Sequence, residues 1–445
     1  MPAPDLARPL FLRGIRVRWR IFWLTFGFGL MAYVQQRGLS VAAVRMMPDL
    51  GLTQMQLGWL ETAFIVGYAA LQFPGGVIGQ RLGARFTFTL VGGIALAATL
   101  LTPLAPLVLH AGALFVALLS LQLLLGLAQA PIFPLSAGVF ETWFPPLQWS
   151  LVQGGQSGGL GLGAALTPPI VAWLMSLFGW QQALIWSSLP MIALIVIWAW
   201  YGRDAPSLHP SVSRAELAEL ATHARARVDS RISWPRILML LRNREVLLLA
   251  LSYLCMNYTF YLISNWTFLY LVQERHVTMM ESGWLAAVPP LGSAIGAAAG
   301  GAIGSACMKR YGARWGLRIV PLIGLPAGGL LLLAAISAAN AYGAAVALAL
   351  CFMAIELTEG PYWAAVMNVS RADSMAASGI LNTGGNVGGL IATPIVAYFS
   401  GHNAWSLPFV LGAALAGMGA LLWLIVDPAR QIHAEEPDLI PATGG

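Results

Sequence analysis

Charge is what this sequence has least of. Only 9% of its 445 residues are Asp, Glu, Lys or Arg, against about 25% in an ordinary soluble protein. A chain of this length would make about three soluble domains, but 18 acidic and 24 basic residues are too few to cover their surfaces. The 58% hydrophobic content and mean hydropathy of +0.73 must therefore meet lipid. Cysteine is nearly absent: Cys255, Cys307 and Cys351 each lie in an apolar run with no C-x-x-C pair, which argues against a disulfide framework or cysteine metal site. Lysine is reduced to Lys309. No basic stretch is interleaved with aromatics, so the net charge of +6 reads as membrane topology and not as nucleic-acid binding. His110, His209, His223, His276, His402 and His433 make no paired ligand spacing, and neither G-x-S-x-G nor a Walker sequence is present. No enzyme, cofactor, metal or ATP-driven cycle is expected.

What remains is apolar sequence rich in small residues. The 48 glycines and 27 prolines would burden a soluble helical fold, yet suit membrane helices, where small residues let backbones approach. A helix needs about 20 apolar residues to cross a bilayer, and twelve such stretches occur, near 20–44, 55–77, 87–108, 113–138, 150–176, 181–202, 245–272, 281–306, 317–338, 341–367, 375–399 and 405–426. Arg8, Arg13, Arg16, Arg18 and Arg20 before the first stretch imitate a signal peptide, but eleven further spans follow and the segment is read as retained. With both termini cytoplasmic, all of the 24 basic residues except Arg37, Arg45 and Arg275 fall on the inner side, as the positive-inside rule requires. The protein is expected in the cell (inner) membrane, as a monomer.

The chain divides as 1–202, a first six-helix half; 203–244, a cytoplasmic linker; 245–430, a second six-helix half; and 431–445, a cytoplasmic tail. In the linker, Ser213 and Glu216 have capping-box spacing, with Leu217, Leu220 and Ala221 as an apolar stripe. A helix on the membrane surface is expected there, with a partner-docking segment as the alternative.

The halves repeat. Gly58-Trp59-Leu60 is followed 17 positions on by Gly75-Gly76-Val77-Ile78-Gly79, and Gly283-Trp284-Leu285 at the same interval by Gly300-Gly301-Ala302-Ile303-Gly304. Each runs into a basic turn, Arg81-Leu82-Gly83-Ala84-Arg85 and Arg310-Tyr311-Gly312-Ala313-Arg314. A second echo pairs the glycine-rich run 154–159 and Thr167-Pro168-Pro169 with the run 384–389 and Thr393-Pro394. Two similar halves joined by a linker allow one to rock against the other about a central site, the arrangement of a transporter.

These residues resemble the major facilitator superfamily and, within it, the anion:cation symporter family of sugar-acid and organic-anion transporters. The resemblance spans the chain and is carried by Gln36-Arg37-Gly38, Gly67-Tyr68, Gln72-Phe73-Pro74-Gly75-Gly76, Leu125-Gly126, Gln129-Ala130-Pro131, Trp143-Phe144-Pro145, Gly360-Pro361-Tyr362-Trp363 and Asn382 with 384–389. It implies an all-α membrane protein of twelve transmembrane helices in two pseudo-symmetric halves, moving an organic anion by alternating access, with proton symport. Departures accompany it: Gln36 stands where the family has Asp, Gln122 where it has Arg, Gln129 where it has Glu, and Gln80 and Ser305 where the gating loops carry Asp. Arg81, Gly83 and Arg85 match the gating loop itself.

Arg37 is the first candidate for substrate binding. An arginine inside a span costs about 2.5–3.5 kcal/mol on insertion scales unless it faces water or a partner, and its fork suits a carboxylate. A structural ion pair with the opposite half is the alternative. Glu356 and Glu359, three apart on one helical face, are candidate proton carriers in place of the missing acids; a permanent partner for Arg37, a capped helix break or a cation site are the alternatives. Glu61 is an outer relay or a snorkelling acid. Tyr68, Gln153, Gln156, Tyr258, Asn265, Trp363, Asn382 and Asn386 offer polar groups for a hydroxylated substrate, or bonds between helices. An anion exchanger or uniporter without proton coupling, and a non-transporting membrane sensor, are the competing functions.

Overall fold

A computed structural model describes residues 16–221, 232–402 and 404–432. Arg8, Arg13, the linker arginines Arg225, Arg227 and Arg231, and the tail from residue 433 lie outside the described residues. Every extended regular element among the described residues is a helix. The apolar stretches Pro146–Tyr201, Glu281–Ser337 and Ala341–Gly401 contain 56, 57 and 61 residues. At about 1.5 Å per residue each is more than twice the roughly 30 Å hydrocarbon core, so each crosses twice. Met55–Leu82, Ala84–Leu107, Ala111–Trp143, Arg244–Gln273 and Ser406–Ile425 cross once. With Val17–Leu50, which carries Arg37, the described chain makes twelve spans in two six-helix halves, numbered here in chain order. The double crossings divide at Gly179 between spans 5 and 6, at Gly312 between spans 8 and 9, and at Arg371–Asp373 between span 10 and span 11, Ser374–Gly401.

The repeat is written into the backbone. Gly83, between spans 2 and 3, has φ 86° and ψ 152°; Gly312, between spans 8 and 9, has φ 71° and ψ 176°. These are the glycines of the two basic turns, in a region open without strain to glycine alone. Three spans that read as single helices are broken. Span 4 is Ala111–Gln129 and Ile132–Trp143, interrupted at Ala130-Pro131. Span 10 is Ala341–Glu356 and Glu359–Ser370, interrupted just ahead of Gly360-Pro361, and span 8 opens with the short helix Met279–Ala286 before Val288. Proline offers no N–H to the carbonyl four residues back. At membrane depth such breaks persist where they are buried in protein or line a cavity.

Two of the repeated glycines, Gly76 and Gly301, sit where the halves cross. At Gly76 of span 2 a Cβ would strike the Met375 carbonyl of span 11. Its counterpart Gly301 of span 8 leaves 2.6 Å between such an atom and the Ser150 carbonyl of span 5. Gly154 meets the Ala297 backbone in the same crossing. Backbones this close admit only glycine.

The described hydrogen bonds between the halves lie on the side that carries the linker. Gln80 donates to the Ala372 carbonyl (2.8 Å) and to Asp373 Oδ1 (2.7 Å). Ser374 Oγ donates to Glu141 (2.7 Å), the Leu151 N–H donates to Ser305 Oγ (2.9 Å), and Gln153 reaches Met367 Sδ (3.4 Å). Arg236 of the linker completes the group with an ion pair to the buried Asp373 (2.6 Å). The molecule is closed on this side.

The linker departs from its sequence reading. Ser213 caps the helix Arg214–Ala221 by accepting from the Glu216 N–H (3.1 Å). The Glu216 carboxylate does not complete the expected box; it accepts from the N–H groups of Val17 (3.3 Å) and Arg18 (3.2 Å), buried donors at the start of span 1 that have no partner within the helix. Glu219 pairs with Arg18 (3.0 Å) and Arg16 (2.7 Å). Chiefly through the Arg18 hydrogen bond, its carboxyl is held below the ordinary carboxylate range. Leu220 is buried and Leu217 exposed, so this helix docks on the chain itself. The membrane-surface pattern belongs to Trp234–Arg242, which buries Ile237 and Leu240 and exposes Trp234, Leu238 and Leu241.

Gly301→Val, which overpacks the crossing of spans 5 and 8, is expected to destabilise the protein by about 1–3 kcal/mol, read as a lower melting temperature in detergent. Gly58→Ala, at a repeat glycine with nothing within 4 Å of the added atom, is the control and should leave that temperature unchanged.

Candidate functional site

Span 1 brings Tyr33 and Arg37 to one face, four residues apart. Both are half-buried at mid-depth of the helix. Arg37 makes no ion pair or hydrogen bond that is found among the described residues, so the alternative of a structural pair with a carboxylate of the second half is not what the structure contains. Its charge instead acts on Tyr33 of its own span and Tyr261 of span 7. A guanidinium from one half thus faces a phenol from the other.

Around it the two halves contribute a polar lining. Tyr68 of span 2 stacks on Phe64, with centroids 5.8 Å apart, and its hydroxyl lies beside Gln72 and Asn382 of span 11. Asn386, one turn beyond Asn382, accepts from Tyr261 Oη (2.8 Å) and donates to the Asn382 carbonyl (3.0 Å). These groups are held by neighbours yet keep lone pairs and protons for a polar ligand.

The acid pair lies at the break of span 10. Glu356 ends one helix and Glu359 starts the next, so the two carboxyls flank the interruption rather than share an unbroken helical face. Both are buried. Glu356 lies against Ser293 of span 8. Glu359 Oε1 accepts from Tyr253 Oη of span 7 (2.8 Å) and Trp363 Nε1 (3.1 Å), and Trp363 packs against Phe133 of span 4 at 5.8 Å. Tyr33 lies in the field of both acids as well as that of Arg37. One cation, two carboxyls and four phenols, those of Tyr33, Tyr68, Tyr253 and Tyr261, therefore form one central group.

Other sequence candidates lie elsewhere. Gln156 donates to Ser136 Oγ (2.6 Å) inside the first half, Gln153 belongs to the linker-side crossing, and Tyr258 donates to the Pro408 carbonyl (3.3 Å) inside the second half. Asn265 is exposed toward the far end of span 7. Glu61 is exposed and accepts from Ser40 Oγ of span 1 (2.9 Å). Gln129, standing where the family has an acid, donates to Gln35 (3.2 Å), a buried amide pair with no charge. In the gating loop, Arg81 donates to the Ile232 carbonyl of the linker (3.1 Å). The Arg85 N–H donates to Asp204 (2.8 Å), which lies directly against Gly83. These basic residues hold the linker and span 3; Gln80 alone of this loop is seen to bond across to the second half.

Sequence reasoning missed Tyr33, Tyr253 and Tyr261. Their signal was available as four-residue spacing: Tyr253, Asn257 and Tyr261 form one stripe on an otherwise apolar span. Asp373 and Arg236 gave no such signal, because each sits in a polar segment where charge is unremarked.

Comparison with known proteins agrees with this architecture. The profile described as Major Facilitator Superfamily matches residues 23–377. A protein of Cupriavidus necator described as a probable sulfoacetate transporter is 28% identical over 92% of this chain and 93% of its own. The hexuronate transporter of Bacillus subtilis is 25% identical over 92% and 96%. Among solved structures, the fucose:proton symporter of E. coli superposes with a TM-score of 0.67 at 16% identity, over 93% of this chain and 100% of its own. The proton:xylose symporter XylE gives 0.75 at 11% identity, over 93% and 97%. Twelve spans in repeated halves, closed against one another on one side around a polar centre, and a family match over most of the sequence lead to one conclusion: this chain is a multi-pass integral membrane protein of the Major Facilitator Superfamily.

Proposed function

We propose that the protein is a secondary carrier of a small organic anion, a sugar acid or short carboxylate, which binds to Arg37 between the halves and crosses by alternating access. The observation that carries this is the guanidinium at mid-depth of span 1, without a partner among the described residues and facing the second half. A charge left uncompensated there is costly, and a bidentate anion would satisfy it. Tyr68, Asn382, Asn386 and Tyr261 are suited to hydroxyl groups on such a substrate. The organic-anion names of the similar proteins support the same substrate class.

In this reading residues 1–202 and 245–430 move as two bodies, the linker 203–244 spans them, and the linker side is cytoplasmic with both termini. The inner membrane then places the far side, with Glu61 and Asn265, outside. The structure's closed side is the cytoplasmic one, and the carrier acts as a monomer. Glu359, together with Glu356, takes the proton-coupling role that neutral Gln36 and Gln129 cannot. Exchange without protons is the second reading, favoured by the uncharged Gln35–Gln129 contact.

Arg37→Ala should weaken binding of the transported anion about a hundredfold or more, the effect of removing one partner of a charge pair, with the melting temperature unchanged. A thermal-shift screen of sugar acids and short carboxylates identifies the ligand, and retained affinity in the variant overturns the anchor role. Glu359→Gln keeps the volume and an oxygen for Tyr253 and Trp363; in vesicles with an imposed pH gradient its uptake should lose pH dependence, whereas an unaltered profile rules Glu359 out. Asp373→Ala removes the ion pair to Arg236 and the Gln80 contact. It should raise maleimide labelling of a cysteine placed at position 153, in the linker-side crossing, about tenfold, equivalent to about 1.4 kcal/mol; equal labelling means that these contacts do not hold the gate.

A further inference from the structure

The linker helix Trp234–Arg242 has two unlike sides. Trp234, Leu238 and Leu241 follow the four- and three-residue steps of one helical stripe, and all three are exposed, Trp234 to 72%. Arg236 stands two residues from both Trp234 and Leu238, about 200° around the axis from either. From there it makes its ion pair to the buried Asp373 at the start of span 11 (2.6 Å). The stripe is therefore the face that the protein leaves uncovered, and the contact to the closed side is made from behind it.

Position determines what meets this stripe. Asn243 alone separates the helix from span 7, which begins at Arg244. Its side chain caps that span by accepting from the N–H groups of Glu245 (3.0 Å) and Val246 (3.1 Å). Leu247 and Leu251, exposed on the first turns of span 7, carry apolar surface on toward the hydrocarbon. The helix thus lies where a span leaves the bilayer, at the level of the headgroups and the upper acyl chains.

The charge beside it is positive in excess. Arg244 and Arg430 lie 4.0 Å and 3.8 Å from the buried Glu245, Arg314 lies 3.6 Å from Asp427, and the Asp427 N–H donates to Glu245 (2.8 Å). Three arginines gather around two carboxylates, yet the side chains of Arg244, Arg314 and Arg430 stay 63%, 60% and 69% exposed. Arg242, at the end of the helix, is exposed as well. Guanidinium forks in surplus over their acids suit phosphate oxygens. An apolar stripe edged by arginine is the pattern of a helix lying on an anionic leaflet. A soluble anion would meet the arginines but leave the stripe uncovered.

We propose that Trp234–Arg242 docks on anionic phospholipid in the leaflet on the linker side, with its apolar stripe among the upper acyl chains and Arg242 and Arg244 on the phosphates, and that the docked helix holds Arg236 on Asp373. Asp373 Oδ1 also accepts from Gln80 of span 2 (2.7 Å). The carbonyl of buried Ile232, just ahead of the helix, accepts from Arg81 (3.1 Å). One lipid-seated helix is thereby bound to both halves at the closed side, and anionic headgroups favour that closure. The inference is independent of what is carried and of how protons are used.

The test compares the full chain in vesicles of phosphatidylcholine and in vesicles of phosphatidylcholine mixed with phosphatidylglycerol, in a Cys307→Ser background. A nitroxide on Leu238→Cys should collide with oxygen in preference to a water-soluble nickel chelate, and more strongly so in the mixture. A label open to the chelate in both membranes, or shielded from both quenchers as contact with a second copy would make it, overturns the docking. Separately, maleimide labelling of Gln153→Cys should fall about tenfold in the mixture, the scale that one or two basic residues confer at an anionic surface. Arg242→Gln with Arg244→Gln should abolish that difference, and Arg242→Lys with Arg244→Lys, which keeps the charge, should restore it. Arg236→Gln should abolish the difference in labelling while the Leu238→Cys nitroxide responds as in the parent, which separates coupling from docking. A full fall in labelling with both arginines replaced by glutamine, or the same fall in neutral vesicles on adding inorganic phosphate, overturns the lipid assignment. A full fall in Arg236→Gln overturns the coupling to Asp373.

Discussion

Everything in this structure answers to one constraint: a polar group at hydrocarbon depth must find a partner or water. The broken helices of spans 4 and 10 put their interruptions inside the protein, where the freed backbone can be satisfied. Gln129 gives an amide proton to the Gln35 oxygen. Tyr253 and Trp363 both spend their donors on one oxygen of Glu359. Arg37, half-buried and without a partner among the described residues, is the cation at that depth that a ligand would complete.

The two halves share a backbone plan but close with different chemistry. Gly83 and Gly312 take the same left-handed turn, and Gly76 and Gly301 make the same close crossing against span 11 and span 5. At the ends of those crossings symmetry is lost. Ser305 accepts a backbone N–H from the start of span 5, whereas Gln80 gives its amide protons to the start of span 11 and to Asp373. An acid in place of Gln80 would have repelled Asp373; the amide is what lets that carboxylate sit at the helix start and receive Arg236 from the linker.

Much of this was legible in the sequence. The twelve spans follow from apolar length, the halves from the repeated glycine and basic-turn motifs, and Arg37 from the cost of a charge within a span. The breaks in spans 4, 8 and 10 were less legible, because hydropathy runs straight through a proline that tertiary packing satisfies. Side-chain direction was not legible at all: Gln153, Gln156 and Tyr258 have the right chemistry and depth for a ligand, but helix rotation turns them to neighbours in the crossing or within their own halves. Glu216 shows the same limit from the other direction. Its spacing fits a cap on its own helix, and a nearer demand, the bare amides at the start of span 1, drew the carboxylate away.

The amide and hydroxyl at positions 80 and 305 have a further consequence for the environment the closed side tolerates. Contacts between neutral groups are indifferent to dissolved ions, while exposed charge pairs weaken as the Debye length shrinks to about 8 Å at physiological ionic strength. Arg236 and the buried Asp373, an ion pair in this seal, are shielded from that screening by the burial of the carboxylate. Those contacts keep their grip in dilute and in saline interiors alike.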